Sequence, residues 1–195
     1  ETLNWHVNLM SSLMSLRAKH VIYVAQHIRD LSCFKARDYS IIPCGVPMEQ
    51  MIITPKEEAR KQLGWDADKK YILFGGAFSN ERKNYKLLAE AVEILHSMPT
   101  TQSTPDIVCV EMKGLTRAEC VLRMCAADLF VLASHSEGSP QALKEAMAVN
   151  CPCLATDIAD VRELFGDEPG HFILRNPRKT HERWDADERS LDEMV

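Results

Sequence analysis

The sequence predicts an α/β fold, a doubly wound parallel sheet, and three observations carry that reading. From residue 71 onward, short β-like runs alternate with stretches of helical periodicity. The runs are continuously apolar rather than alternating, as in strands buried on both faces. The helical stretches fall between successive runs, where the crossovers of a parallel sheet belong.

The elements follow in order. Residues 3–16 are rich in Leu and Met at roughly helical spacing, a pattern read as packing rather than a cofactor box. Val21-Ile22-Tyr23-Val24 and Ile41-Ile42 read as strands separated by a helical stretch. Thr54-Pro55-Lys56-Glu57 combines a hydroxyl N-cap, proline at the first helical position and Glu at the third, and Gly64 ends the segment, so 55–63 is a short helix. Tyr71–Phe74 is a strand ending in Gly75-Gly76, and Leu88, Ala91, Val92 and Leu95 then mark one helix face. Ile107–Val110 precedes a helix with Ala118, Val121, Leu122 and Cys125 inward, and Leu129–Leu132 precedes the helix that holds Glu145. Cys153–Ala155 leads to a short helix around 161–164, and Phe172–Leu174 closes the set. The division expected is an arm over 1–50, a compact unit over 51–176, and a charged tail over 177–195 read as a peripheral or frayed helix. The chain begins on Glu1 rather than Met, which is read as a processed product or a cut-out piece.

Composition limits the function classes. Among 195 residues, 46% are apolar and 26% charged, the balance of a globular domain, and the formal charge of −5 provides no general field for nucleic acid or an anionic membrane. No apolar run approaches the roughly 20 residues of a membrane span, and no signal peptide is evident. Seven cysteines (33, 44, 109, 120, 125, 151 and 153) show no metal-ligand spacing and are read as reduced, mostly buried thiols of a cytoplasmic protein. No cofactor and no metal are expected.

In an open parallel sheet, ligands bind beyond the carboxyl ends of the strands. That rule selects Gly75-Gly76 with the loop "AFSNERKN", Glu111 to Gly114, "SHSEGSP", and Thr156-Asp157. Glycines allow close backbone approach, free amides at a helix N-terminus favour an anion, and Arg82 and Lys83 add charge at the same edge, so a nucleotide or diphosphate is the expected guest. Glu137 and Glu145 stand eight positions apart around a Gly-Ser-Pro turn. Eight helical residues rise about 12 Å, too far for the roughly 5 to 9.5 Å of a hydrolase acid pair. The two acids are therefore expected to grip two ends of one elongated ligand. Taken singly, Glu137 could complement the helix dipole and Glu145 could be a solvated face residue. Leu143, Ala146 and Met147 flank Glu145, however, and an acid among them needs a partner. Asp128 and Asp157 are read as loop ties, Asp160 and Glu163 as surface or loop-fixing groups, and Arg117 and Arg123 as solvated.

With "RKNYKLLAEAVEIL", "SHSEGSPQALKEAMAVNCPCLATDIADVREL" and the linker "IIPCGVP", the chain resembles the nucleotide-sugar-dependent glycosyltransferases of family 4, also called group 1, over most of 20–175. Glu, seven residues, Glu, continued by Ala-Met-Ala and a Pro-x-x-Ala-Thr-Asp strand, is the specific part. The resemblance implies a Rossmann-like half of a GT-B fold, the carboxyl-terminal donor-binding domain, with residues 1–50 as remnant of the amino-terminal acceptor domain. It implies retaining transfer of a sugar from a nucleoside diphosphate sugar, with UDP and GDP as the carriers named, to a carbohydrate or lipid-linked acceptor in polysaccharide biosynthesis. The intact enzyme would be cytoplasmic, at the inner face of a membrane. Carried over, Glu137 is the catalytic acid beside the donor sugar, Glu145 the acid on the ribose hydroxyls, and Lys83 the diphosphate lysine, with Arg82 next to it. Amides of Gly138, Ser139 and Gln141, with Gly75 and Gly76, complete the donor set. His135, two residues before Glu137, is read from its place on the loop as supporting the site from behind, with direct contact to the donor as the alternative.

Two departures from the family are visible. A further arginine is often found where this chain has Gly76 and Ala77, and an extra βα unit before "DIVCVEMKG" is absent or compressed. A donor-binding fragment inactive on its own is the expectation. A non-catalytic nucleotide-binding or scaffold domain is the alternative, and another GT-B sugar enzyme, such as an epimerase, is a third.

Overall fold

A computed structural model describes residues 2–98, 105–175, 179–180 and 183–184. The amino-terminal arm comprises α1 (Thr2–Ser15), β1 (Val21–Tyr23), α2 (Gln26–Leu31) and β2 (Tyr39–Ile41), and β1 pairs with β2 in parallel, Val21 opposite Tyr39. Polar contacts tie α1 to the turn after α2: Asn8 Nδ2 donates to the Leu31 carbonyl at 2.8 Å, and the Cys33 amide to Ser12 Oγ at 3.0 Å. Met10, Met14, Ile22 and Leu31 nevertheless remain largely exposed on this arm.

After a 3₁₀ turn at Met48–Gln50, the chain enters α3 (Lys56–Leu63) and then β3 (Lys70–Phe74). The expected N-cap is off by one: Pro55, with ψ of 138°, is itself the cap rather than the first helical residue, and no side chain caps the helix. Gly64 ends it as expected, in the left-handed conformation at φ 66°. There follow α4 (Tyr85–Ser97), β4 (Ile107–Glu111), α5 (Arg117–Ala126), β5 (Leu129–Leu132), α6 (Gln141–Ala148), β6 (Cys153–Thr156), α7 (Val161–Phe165) and β7 (His171–Leu174). The connection from α4 to β4 is residues 98–106, too short for another βα unit; 99–104 lie outside the described residues.

All five central strands are parallel, in the order β4-β3-β5-β6-β7. The chain steps outward from β3 to β4, returns past β3 to β5, and continues to β6 and β7. Right-handed crossovers then put α4 on one face and α5, α6 and α7 on the other. The core confirms this split. Leu73, Phe130 and Leu132 pack with Val121, Met124, Leu143, Val161 and Phe165, whereas Phe74, Val131 and Leu154 pack with Leu87 and Leu88 of α4. Adjacent strand residues point to opposite faces, and each fully buried Phe or Leu contributes about 1.5–3 kcal/mol.

Three further expectations are corrected. On α5, Ala118 is exposed and Met124 is buried, because α3 packs along α5 and rotates its inward stripe toward Val121 and Met124. Only Cys151 and Cys153 of the seven cysteines are buried; Cys33 and Cys44 are exposed. Within the tail, β8 (Lys179–Thr180) and β9 (Arg183–Trp184) pair antiparallel instead of forming a helix, and the rest of 185–195 lies outside the described residues.

Candidate functional site

The reversal of strand order between β3 and β5 opens a crevice beyond their carboxyl ends, because the following chain segments leave in opposite directions. The loop after β3 forms one wall. Gly75 continues the ladder by donating to the Val131 carbonyl at 2.8 Å, and a Cβ there would lie 2.8 Å from Phe130 Cζ and 3.2 Å from Leu132 Cδ1. A Cβ on Gly76 would lie 2.8 Å from Lys83 Cγ. Both glycines thus answer to packing by this chain, one to the core and the other to the lysine stem. Asn80 caps the 3₁₀ turn Glu81–Lys83 by accepting from the Arg82 amide, and Asn84, left-handed at φ 55°, redirects the chain into α4. These devices aim Arg82 and Lys83 across the crevice.

The loop after β5 meets them. Lys83 Nζ donates to Glu137 Oε1 at 2.6 Å, Ser134 Oγ donates to the same oxygen at 2.8 Å, and Arg82 Nη1 lies 3.1 Å from Oε2. Arg82 also donates to the Ser136 carbonyl at 2.6 Å, and the amide of buried His135 to the Arg82 carbonyl at 3.0 Å. Burial raises the Glu137 carboxyl's pKa, but the Lys83 and Ser134 hydrogen bonds and the neighbouring cations outweigh it and hold the group below its usual range. Two cations facing one carboxylate leave a net positive charge at the crevice. Thr156 donates to the Ser134 carbonyl at 2.6 Å and is fully buried, so it shapes this loop from below rather than facing a ligand, as its place on the crevice edge had suggested.

The third part is α6. Glu137 lies on the loop, four residues ahead of the first helical residue, Gln141, so the 12 Å helical rise expected between the two acids does not apply. Gly138-Ser139-Pro140 is not helical, with Pro140 as the N-cap. Glu145 is 7% exposed, and its partner is Arg117, the first residue of α5. Arg117 is therefore an ion-pairing residue, contrary to the solvated role expected of it. Ser139 Oγ donates to Asp160 Oδ2 at 2.6 Å, which fixes the turn ahead of α6 and leaves the Ser139 amide as its remaining donor. Gln141 Nε2 donates to the Gly45 carbonyl at 2.9 Å, and Lys144 Nζ to that of Cys44 at 3.3 Å, so the linker lies against α6. Gly138 is exposed with open space around it.

The structure thus brings Arg82, Lys83 and Glu137 together and gives Glu145 a partner of its own. Sequence reasoning missed Arg117 and Ser134. Their spacings from the acids carry no signal; only the packing of α5 on α6 and the fold of one loop reveal them. Asp157 pairs with Arg162 at 2.6 Å, a loop tie as expected. Asp128 sits at the opposite end of the sheet, where it holds Lys56 and Arg60 at 2.6 Å each and accepts from the Tyr71 amide at 2.8 Å. Among the described residues, no group of three or more His, Cys, Asp or Glu side chains is disposed to hold a metal ion. Chemically, the crevice offers cationic side chains and helix-terminal amides to an anion, and a buried carboxylate to hydroxyl donors.

Comparison with known proteins bears on the family and the fold. Residues 108–186 match the family model of the group 1 glycosyl transferases. The chain is 33% identical over 152 residues to TuaC of Bacillus subtilis (strain 168), named for a glycosyltransferase role in teichuronic acid biosynthesis; the match covers 71% of this chain and 38% of TuaC. Among solved structures, sucrose-phosphate synthase from Thermosynechococcus elongatus superposes with a TM-score of 0.74 at 18% identity, over 97% of this chain and 51% of that one. HepE from Anabaena, solved with UDP and glucose, gives a TM-score of 0.65 at 17% identity, over 86% of this chain and 52% of that one. The fold is that of GT-B glycosyltransferases, and the chain spans between about a third and a half of the length of these relatives.

Proposed function

We propose that this chain, which carries a group 1 glycosyltransferase domain across residues 108–186, is the donor-binding part of an enzyme that transfers a sugar from a nucleoside diphosphate sugar to an acceptor, with retention of configuration. The observation that carries the proposal is the convergence of Arg82, Lys83 and Glu137 with the start of α6 at the crevice between β3 and β5. In this reading the diphosphate lies against Lys83, Arg82 and the amides of Gly138, Ser139 and Gln141. These preorganised charges stabilise the departing nucleotide as the sugar bond breaks. Glu145 takes the ribose hydroxyls.

Glu137 already accepts from Lys83 and Ser134 and pairs with Arg82, and its carboxyl is held acidic. A group so held is a poor proton acceptor near neutrality. Its role is accordingly to fix the two cations and to face the donor sugar. Residues 1–50 are assigned to the acceptor-side domain, 51–176 to the donor domain and 177–195 to a peripheral tail. The fragment by itself is expected to bind donor and turn over little, since the reaction needs both walls of the interdomain cleft. The named role of TuaC, in teichuronic acid biosynthesis, supports a place in polysaccharide biosynthesis, for which the acceptor in this reading is a carbohydrate or a lipid-linked one. For a lipid-linked acceptor the intact enzyme would work at the cytoplasmic face of a membrane; no helix among the described residues is long and apolar enough to cross one.

Calorimetric titration of the chain with UDP, GDP, ADP and their sugar derivatives tests this assignment. Charge-assisted hydrogen bonds of about 1.5–3 kcal/mol predict a loss of roughly tenfold or more in affinity for Lys83→Ala and for Glu145→Ala. Absence of binding by every nucleotide at millimolar concentration, or unchanged affinity in both variants, rejects the donor site.

A further inference from the structure

The first turn of α5 is built to hold one side chain in place. Thr116 Oγ1 accepts from the Glu119 amide at 3.3 Å, and Glu119 Oε2 accepts in return from the Thr116 amide at 2.7 Å, a reciprocal cap that fixes the helix start. Arg117 follows immediately, and its Nη1 donates to Glu145 Oε1 on the neighbouring helix. The Glu145 side chain is 9% exposed and that of Arg117 43%. A carboxylate this buried requires a compensating charge, and Arg117 supplies it from the solvent side. Only Oε1 is engaged. Glu145 Oε2 makes no hydrogen bond among the described residues, and the side chain retains a small exposed area.

We propose that Arg117 is a positioning residue for nucleoside recognition: by holding Oε1 it turns Oε2 outward as a preset acceptor for the ribose hydroxyls. The proposal rests on the donor-site reading and adds to it a residue 28 positions away in sequence. An oriented acceptor discriminates between a nucleotide that offers a 2′,3′-diol and one that lacks it, because the latter covers the carboxylate oxygen and displaces its water without returning a hydrogen bond. Arg117 therefore governs the ribose preference and leaves the diphosphate contact, built on Lys83 and Arg82, untouched.

The test measures the full chain against a nucleoside diphosphate, its 2′,3′-dideoxy counterpart and inorganic diphosphate, for the parent, Arg117→Gln, Arg117→Lys and Glu145→Gln. The parent is expected to prefer the ribose form by about tenfold or more. Arg117→Gln should reduce that preference to about the level of Glu145→Gln, Arg117→Lys should keep an intermediate preference, and inorganic diphosphate should bind all four alike. Thermal melts of the variants establish that they fold, and the lysine variant provides the comparison if the glutamine one does not. A parent-like preference in either Arg117→Gln or a folded Arg117→Lys series with no graded loss overturns the proposal alone. So does tighter ribose binding on removal of the guanidinium, which would make Arg117 an occupant of the ribose place. If the parent binds neither nucleotide nor diphosphate, the donor-site reading fails and this proposal with it; if it binds both nucleotides equally, only the ribose assignment of Glu145 and Arg117 falls.

Discussion

Two adjacent glycines allow core packing and ligand binding to be separated by experiment. In Gly75→Ala the new methyl would stand 2.8 Å from Phe130 Cζ, 3.2 Å from Leu132 Cδ1 and 3.3 Å from the Val131 carbonyl oxygen. Phe130 is fully buried, so neither the ring nor the strand can yield cheaply. Overpacking of this kind costs about 1–3 kcal/mol, offset by about 0.4–1 kcal/mol from the reduced entropy of the unfolded chain. The net loss is about 1–2 kcal/mol, or roughly 3–7 °C in Tm for a chain of this size. In Gly76→Ala the methyl meets the Lys83 stem instead, 2.8 Å from Cγ. A lysine stem swings aside at little cost, and the same backbone-entropy gain applies, so Tm should change by less than in Gly75→Ala. The shifted stem carries the Lys83 ammonium off its place in the crevice while leaving it within reach of Glu137, and affinity for inorganic diphosphate should fall by about tenfold. Urea unfolding and calorimetry on the two variants supply both readings. A Gly75→Ala protein as stable as the parent, or a Gly76→Ala protein less stable than Gly75→Ala, would refute the packing argument.

Other outcomes follow from the same geometry. Asp128→Ala removes the acceptor shared by Lys56, Arg60 and the Tyr71 amide and leaves a nearly buried guanidinium without its carboxylate; a loss of about 3 kcal/mol is expected by denaturant titration, and a loss below about 1 kcal/mol would contradict it. The Asp128 carboxyl is pushed up by burial but pulled down further by Lys56, the Tyr71 amide and Arg60, and Glu137 is likewise held below its usual range. Because both folded pKa values lie below the unfolded ones, their stabilisation is fully present above the ordinary carboxylate values of 3.8 and 4.5 and is lost as pH falls through the lower folded ones. Urea midpoints should therefore be flat in this contribution from pH 7 to about 5 and decline further down, and Asp128→Asn should flatten part of that decline. Exposed Cys33 and Cys44 should react with a thiol reagent in the folded protein, whereas Cys151, its thiol pushed up to about 12 by burial, and buried Cys153 should react only on unfolding. Equal labelling rates for all four, followed by peptide mapping, would count against the described burial.

The strands were readable because each is an unbroken apolar run flanked by turn residues, a pattern that buried parallel strands impose directly on sequence. Their order in the sheet was not. Nothing local in Tyr71–Phe74 or Leu129–Leu132 says that they are neighbours with Ile107–Glu111 outside them, yet that adjacency creates the crevice. Arg82, Lys83 and Glu137 could be suspected singly, from charge near a strand end, but their mutual contact spans 54 positions. Arg117 was misjudged for a physical reason. An arginine at the start of a capped helix is ordinarily solvated, and only the packing of α5 beside α6 places a buried acid within its reach. At Gly75 and Gly76 the sequence suggests only close approach of a ligand, whereas the ring of Phe130 and the stem of Lys83 supply a second reason for the missing Cβ.

The linker against α6 has a consequence for how this protein tolerates change. Gln141 and Lys144 reach the main-chain oxygens of Gly45 and Cys44, not their side chains. Since every residue type presents the same carbonyl, positions 44 and 45 are free to drift as long as the backbone path persists, and the polar attachment of this stretch rests on side chains of the helix. The helix that displays Glu145 is in this sense also the cleat to which the incoming chain is tied, so a substitution at 141 or 144 loosens the connector and the acid's mounting together.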